Sequence, residues 1–382
     1  MKKSVILLLA LSLLLLPCHA VEKAEEDTFS LPCKAALLME RESGTVLYAK
    51  NENAQLSPAS VTKVMTMLLL CEAIDGGVLS LDDTVTASRA AASMGGSQIW
   101  LEEGEQMSVG EMLKCVAVVS ANDCAVALAE KLCGSEGVFT ARMNERAAEL
   151  GLEHTHFSNC TGLSSAGEHY TSAHDIAVMA RELLSHSFIR QYTTLWTDTI
   201  RGGQFGLTNT NKLVRYYEGC TGLKTGFTNE AMFCLAASAE RDGTEYIAVI
   251  LHGDSSADRF DAARTLLDYA FASFVRVPLL PEEPIAPVGV ERGVAESVAA
   301  VPLASPLVLV ERTRASSLRR TVELNASLAA PVEAGQTVGR ACLWDGEELL
   351  AEQELVAAND VPRRTLLYDV RSFFRSIFSF SD

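Results

Sequence analysis

The chain has 382 residues, more than one folded unit ordinarily holds, so two domains plus targeting segments are expected. Its formal charge of −17, from 49 acidic against 32 basic residues, argues against nucleic acid or another polyanion as a partner. None of its ten cysteines forms a Cys-x-x-Cys pair and no His-Glu-x-x-His occurs, so neither a metal site nor a cofactor is expected.

The N-terminus reads as an export signal. Met1-Lys2-Lys3 is basic, residues 5–16 hold almost nothing polar, and Pro17-Cys18-His19-Ala20 ends small, which predicts a secretory signal over residues 1–20. The apolar run falls short of the ~20 residues that a membrane span needs. Pro17 before Cys18 does not fit a lipoprotein signal. Cleavage after Ala20 removes two lysines and one cysteine, leaving a body of formal charge −19 with nine cysteines.

Residues 35–51 alternate and turn at Ser43-Gly44, which predicts a strand hairpin. Apolar residues dominate 61–73, with the Ser60 hydroxyl placed to cap the first turn and Asp75-Gly76-Gly77 to end the helix. Further helices are predicted over 109–119, 121–133, 139–150, 172–184 and 259–274. Cys71, Cys115, Cys124 and Cys133 sit in that apolar helical context and read as small buried hydrophobes. Residues 232–238 and 246–251 read as paired buried strands around Arg241-Asp242-Gly243. Early and late strands thus flank a helical insertion, an α/β arrangement rather than a doubly wound parallel sheet.

Pro278, Pro281, Pro284 and Pro287 mark a stiff linker over residues 276–288, which closes a first unit of residues 33–275. Leu307-Val308-Leu309-Val310, Thr321-Val322-Glu323-Leu324 and Ala341-Cys342-Leu343-Trp344, with a turn at Asp345-Gly346, predict a small all-β domain over 289–360. In the tail, 361–382, Leu366, Leu367, Val370, Phe373, Phe374, Ile377 and Phe378 share one helical stripe, with Arg363, Arg364, Arg371 and Arg375 off it. This C-terminal amphipathic helix is too charged to span a bilayer but suits the headgroup boundary of an anionic membrane surface; the simpler alternative is docking on a protein.

Three short motifs carry chemistry together: Ser60-Val61-Thr62-Lys63, Ser120-Ala121-Asn122 and Lys224-Thr225-Gly226. With 32 serines and ten lysines, about one Ser-x-x-Lys arises by accident, so combination and order decide. Ser60 and Lys63, three apart at a helix start, place hydroxyl and amine on one face, where backbone N–H groups and the helix dipole favour an oxyanion. A lysine at its reference pKa of about 10.4 is almost never neutral at pH 7, so Lys63 must be perturbed, by burial and by a second cation such as Lys224. Lys224 and Thr225 on a sheet edge suit a substrate carboxylate, and Gly226 permits close approach of a substrate backbone. Ser120 is placed to relay a proton and Asn122 to hold an amide, although both residue types also serve as plain helix caps. His154-x-His156, and His169 with His174, are spaced like ligands, but hydrogen-bonded or surface histidines are the simpler reading.

At these residues the chain resembles the D-alanyl-D-alanine carboxypeptidases among low-molecular-mass penicillin-binding proteins. The likeness spans residues 33–275 and includes Pro58-Ala59-Ser60, Gly96-Ser97, Gly104-Glu105, Ser120-Ala121-Asn122-Asp123, Thr161-Gly162-Leu163, His169 to Asp175 and Gly222 to Thr228. It implies a β-lactamase/transpeptidase-like domain with an antiparallel sheet flanked by a helical subdomain. It also implies an acyl-enzyme on Ser60, with Lys63 as base and Ser120 as proton relay. Asn122 would position the acyl part, Lys224, Thr225 and Gly226 would line the carboxylate site, and the N–H groups of Ser60 and Phe227 would form the oxyanion hole. The implied partners are peptidoglycan stem peptides ending in D-Ala-D-Ala and β-lactam inhibitors, met at the extracytoplasmic face of a bacterial plasma membrane or in the cell wall. Met232 departs from the glycine common in relatives, and Cys160 and Cys220, near motif segments, raise the hypothesis of a disulfide.

Two alternatives stand beside this reading. A serine β-lactamase shares the motifs, but no Glu-x-x-x-Asn occurs between Glu153 and Ser165 to supply a deacylating glutamate. A non-catalytic wall-binding protein would keep the fold, but all three motifs are intact here.

Overall fold

The computed structural model describes residues 28–163, 168–281, 283–304 and 306–370; the expected export signal and the tail beyond residue 370 lie outside the described residues. Two compact units divide the chain, one ending at Ala272 and one beginning at Ser273.

The first unit is built on one antiparallel sheet drawn from both ends of its sequence. Strands β1 (Cys33–Glu40) and β2 (Val46–Lys50) form the predicted hairpin, with Leu37 opposite Ala49. Strands β3 (Cys220–Thr228), β4 (Met232–Arg241) and β5 (Thr244–Gly253) return to it, in the order β2-β1-β5-β4-β3. The edge strand β3 therefore carries Lys224-Thr225-Gly226, as the sequence predicts. Alternate residues of β5 explain its unbroken apolar run, because both faces are covered. Ile247, Val249 and Leu251 join the core shared with the inserted helices, while the Tyr246 ring meets Phe271 at 4.9 Å on the other face.

The insertion holds helices α1 (Lys63–Asp75), α2 (Val109–Val118), α3 (Asn122–Cys133), α4 (Glu136–Glu149) and α5 (Ala173–Ser185), and α6 (Ser256–Ser273) follows β5. Helix α1 is apolar all round and is buried from Lys63 to Cys71, the expected place for a helix without a polar face. Ser108, Ser135 and Ser172 cap α2, α4 and α5 by accepting from the N–H three residues on. Ser60 does not cap α1: residues Ala59–Thr62 form a separate 3₁₀ turn, and no side chain caps either segment.

The second unit is all-β, with a four-stranded sheet of Ala300–Pro302, Glu348–Ala357, Thr337–Asp345 and Arg319–Leu324, in that order. The stretch expected to be a linker begins as a strand instead: Phe274–Pro278 pairs antiparallel with Leu307–Glu311. Proline at the end of a two-stranded edge needs no donor, so its spacing misleads here. The tail is not helical from residue 361, where the expected range begins, but from Leu366, the first residue of its stripe. Val361 and Arg363 bridge to Val332 and Gly293, and helix begins only at Leu366. No helix among the described residues is long and apolar enough to cross a membrane. Phe373, Phe374, Ile377, Phe378, Arg371 and Arg375 lie outside the described residues.

Candidate active site

Ser60 sits in the 3₁₀ turn just ahead of α1, after Ala59 at a left-handed φ of 48°. One turn on, the Lys63 amine is fully buried and donates to three oxygens: Ser60 Oγ at 3.0 Å, Asn122 Oδ1 at 2.6 Å and Thr161 O at 2.8 Å. Burial drives the Lys63 pKa down to about 7, against weaker opposing pulls from Cys160 and Asp123. Burial thus perturbs Lys63 more than any neighbouring cation does. Lys224, buried as well, lies well below the usual lysine range, first through burial and then through Lys63 and Arg259.

Glycines bring the strand and the nucleophile together. A Cβ on Gly226 would lie 2.6 Å from Pro58 O and 3.1 Å from Ser60 N, and one on Gly162 would lie 1.8 Å from Ala59 O. The room that Gly226 leaves is taken by the protein's own Ser60 turn, so a glycine here seats the nucleophile turn against the strand. Beside it, Thr225 Oγ1 donates to Thr210 Oγ1 at 2.7 Å, and the Phe227 ring, half exposed, stacks on Phe233 at 4.5 Å.

Ser120 links α2 to α3 at a left-handed φ of 64°, and its buried Oγ has no hydrogen-bond partner among the described residues. Asn122 is fixed from both sides, its Nδ2 donating to Gly95 O at 2.7 Å and its backbone N to Ser97 O at 2.7 Å. All eight expected residues, Ser60, Lys63, Ser120, Asn122, Lys224, Thr225, Gly226 and Phe227, thus fall on three segments, of which the turn at Ser60 touches both others.

A family model described as D-alanyl-D-alanine carboxypeptidase matches residues 20–255. The chain belongs to the D-alanyl-D-alanine carboxypeptidase family. A second model, the C-terminal domain of penicillin-binding protein 5, matches residues 278–363. The chain is 41% identical over 335 residues to a Bacillus subtilis D-alanyl-D-alanine carboxypeptidase, DacF, covering 86% of each. Penicillin-binding protein 5 of Haemophilus influenzae superposes with a TM-score of 0.74 at 27% identity, covering 88% of this chain and 99% of that one. Penicillin-binding protein D2 of Listeria monocytogenes, solved in an ampicillin-bound form, superposes at 0.58 with 30% identity, over 64% of this chain and 98% of that one. The chain is accordingly a peptidase, with the catalytic α/β domain and C-terminal β domain of its relatives.

Several supports of this carboxypeptidase site escape sequence reasoning. Arg259, buried on α6, donates to Gly226 O at 2.9 Å and Cys234 O at 3.3 Å, pinning β3 to β4 behind the site. Burial lowers its pKa to about 10. Asp123 Oδ2 accepts from the N–H groups of Ile99 and Leu101. His169 Nδ1 accepts from Ser158 N, so the proton is on Nε2, which donates to Thr62 Oγ1 at 2.7 Å; burial lowers its pKa to about 4 and keeps the ring neutral. Sequence reasoning gives Arg259 no role and names Asp123 only within a motif, because their partners are distant backbone groups, whereas His169 is the hydrogen-bonded histidine that the simpler reading expects. Cys160 and Cys220 are both free thiols, against the hypothesis of a bond between them: the Cys160 thiol turns to Glu136 Oε1 at 3.3 Å, that of Cys220 to Gly222 O at 3.5 Å. Met232 adopts a left-handed φ of 54°, the conformation for which glycine is the easy choice.

Proposed function

We propose that the chain removes the terminal D-alanine from peptidoglycan stem peptides through an acyl-enzyme on Ser60. As an ammonium Lys63 donates to all three oxygens; a neutral amine has two protons and one lone pair, so on losing a proton it would keep donating to Asn122 and Thr161 while the contact with the Ser60 hydroxyl reverses and Lys63 accepts. Ser60 Oγ attacks the carbonyl carbon of the penultimate D-alanine as its proton passes to Lys63. The Ser60 and Phe227 N–H groups stabilise the oxyanion. Ser120 Oγ, buried without a partner, hands a proton to the leaving amine; a buried hydroxyl of that kind calls for a substrate contact. Asn122 holds the acyl amide. Lys224, Thr225 and the nearby Arg259 make a cationic end for the terminal carboxylate, and water then frees Ser60. β-Lactams acylate the same hydroxyl.

The chain would be exported by residues 1–20 and act at the outer face of the plasma membrane or in the wall, with residues 361–382 touching the membrane surface. The observation that carries the catalytic reading is the Lys63 amine 3.0 Å from Ser60 Oγ, buried enough to be half neutral near pH 7. Mass spectrometry after penicillin tests it. A single penicilloyl adduct is expected on the wild type and none on Ser60→Ala; an adduct that persists in the variant overturns the assignment.

A further inference from the structure

Three segments meet at the Lys63 amine: the turn at Ser60, the start of α3 through Asn122, and residues 158–162 through Thr161 O. Residues 158–162 form neither helix nor strand, so side-chain bonds must hold them in place. Asn159 Oδ1 accepts from Thr161 N at 3.0 Å and Gly162 N at 2.7 Å, and Thr66 Oγ1 on α1 donates to Cys160 O at 2.6 Å. His169 makes the tie nearest the nucleophile. The ring is buried; its Nε2 donates to Oγ1 of Thr62, the neighbour of Lys63, at 2.7 Å, and its Nδ1 accepts from Ser158 N at 3.1 Å. The segment that carries it is fixed as well. Tyr170 and His156 exchange backbone bonds of 2.9 and 3.0 Å, Thr171 and Leu56 do the same, and the Phe157 and imidazole rings meet edge to face at 5.7 Å. Leu56 leads directly into Pro58 and Ser60, so the histidine and the nucleophile turn hang from one bridge.

Tying two segments together needs no histidine, because an apolar side chain of that size would pack. An imidazole adds a donor and an acceptor on an uncharged ring. Burial, then His156 and Lys63, oppose a positive charge on it. We propose that His169 is a positioning residue for the base: by spanning Thr62 and Ser158 it keeps Thr161 O against the Lys63 amine and shuts water out behind it. This deepens the reading of Lys63 as base and rests on it. The charged and titratable groups facing the amine are Lys224 on β3, Asp123 on α3 and Cys160, whose thiol meets Glu136 on α4; His156 faces the imidazole. A neutral side chain in place of the neutral ring leaves the charge around the amine unchanged and alters only its access to water. Burial is the first cause of the low Lys63 pKa, so loosening the segment raises it.

The test follows penicillin acylation of the full chain against pH by stopped-flow, with Tm measured alongside. His169→Phe fills the space without either bond. It should move the midpoint up by about one pH unit from its wild-type place near 7, leaving acylation below that midpoint roughly tenfold slower. Thr62→Val removes only the hydroxyl and should move the midpoint the same way. The double variant should go no further than either single one, because the same tie is lost in all three. His169→Gln should restore most of the wild-type profile, since its amide also offers one donor and one acceptor side by side without charge. A lower Tm with the midpoint unmoved in His169→Phe and Thr62→Val would overturn the proposal and leave the histidine a support of the fold only. Additive effects in the double variant would overturn it too. Should His169→Phe fail to fold, the midpoint of Thr62→Val decides alone. Acylation of the wild type that did not vary with pH would instead sink the reading of Lys63 as base.

Discussion

The two units treat charge in opposite ways. Among the described residues, every buried polar or charged side chain lies between Glu40 and Arg259, in the first unit. The second unit keeps an apolar core of residues such as Val338, Ala341, Leu343 and Leu355, and its ion pairs, such as Arg340 with Glu323 and Glu352, remain half exposed. Taking Lys63, Lys224 and Arg259 out of water is costly, and a fold gains little stability from it. Where a chain buries such groups beside one another, their altered proton affinities are the useful result. The second unit has the cheaper construction.

Replacing the base should break this contrast most sharply. Lys63→Met is expected to lower penicillin acylation roughly 10³-fold, the range for loss of a general base, read by stopped-flow or quenched mass spectrometry. In the wild type the acylation rate should climb as pH passes about 7, where Lys63 becomes neutral; a flat profile from pH 5.5 to 8.5 would count against the lysine. Stability follows the same group. Its pKa falls from 10.5 to about 7 on folding, so between those pH values the unfolded chain binds more protons and stability rises with pH. The cost, on the order of 5 kcal/mol, is fully present below pH 7 and relieved toward 10.5. The Tm of Lys63→Met relative to wild type should therefore be most favourable below pH 7 and decline above it.

Arg259 gives the next largest effect. Arg259→Met leaves the Gly226 and Cys234 carbonyls without their guanidinium, so β3 loses its brace behind the Ser60 turn. A loss of about 2 kcal/mol in stability is expected, with roughly tenfold slower acylation. A thermal shift without any change in acylation would make Arg259 a support of the sheet and nothing more.

Arg259 also shows where sequence reading stops. The first unit's six long helices and its β4–β5 pair are legible because apolar periodicity and glycine punctuation are local signals. The three motifs are legible because serine, lysine and asparagine at those spacings are chemical signals. An arginine in the first turns of a helix looks like any solvated charge until the fold sets two carbonyls against it. Gly226 is similar: the sequence shows that space is wanted there, and only the tertiary contact to Pro58 and Ser60 shows what fills it. The strand at Phe274–Pro278 is hidden because its partner lies about thirty residues on and its own sequence ends in proline.

In the second unit the same experiments should separate stability from chemistry. Leu343 is fully buried in its core, and Leu343→Ala is expected to cost about 3 kcal/mol in that unit while penicillin acylation stays within twofold. A matching loss of acylation would mean that the units do not act separately.

Arg340→Ala should do least of all. Its guanidinium faces Glu323 at 2.8 Å and Glu352 at 3.3 Å across neighbouring strands, a geometry that in a buried setting would matter greatly. Here all three side chains are exposed, and water and salt screen them. The two glutamates left behind can turn to solvent, whereas the carbonyls that Arg259 serves cannot. A Tm within about 1 °C of wild type is expected at 0.15 M salt, with a slightly larger drop at low salt as screening weakens. A drop as large as that of Arg259→Met would show that the second unit, too, depends on its charges, and the contrast between the units would fail.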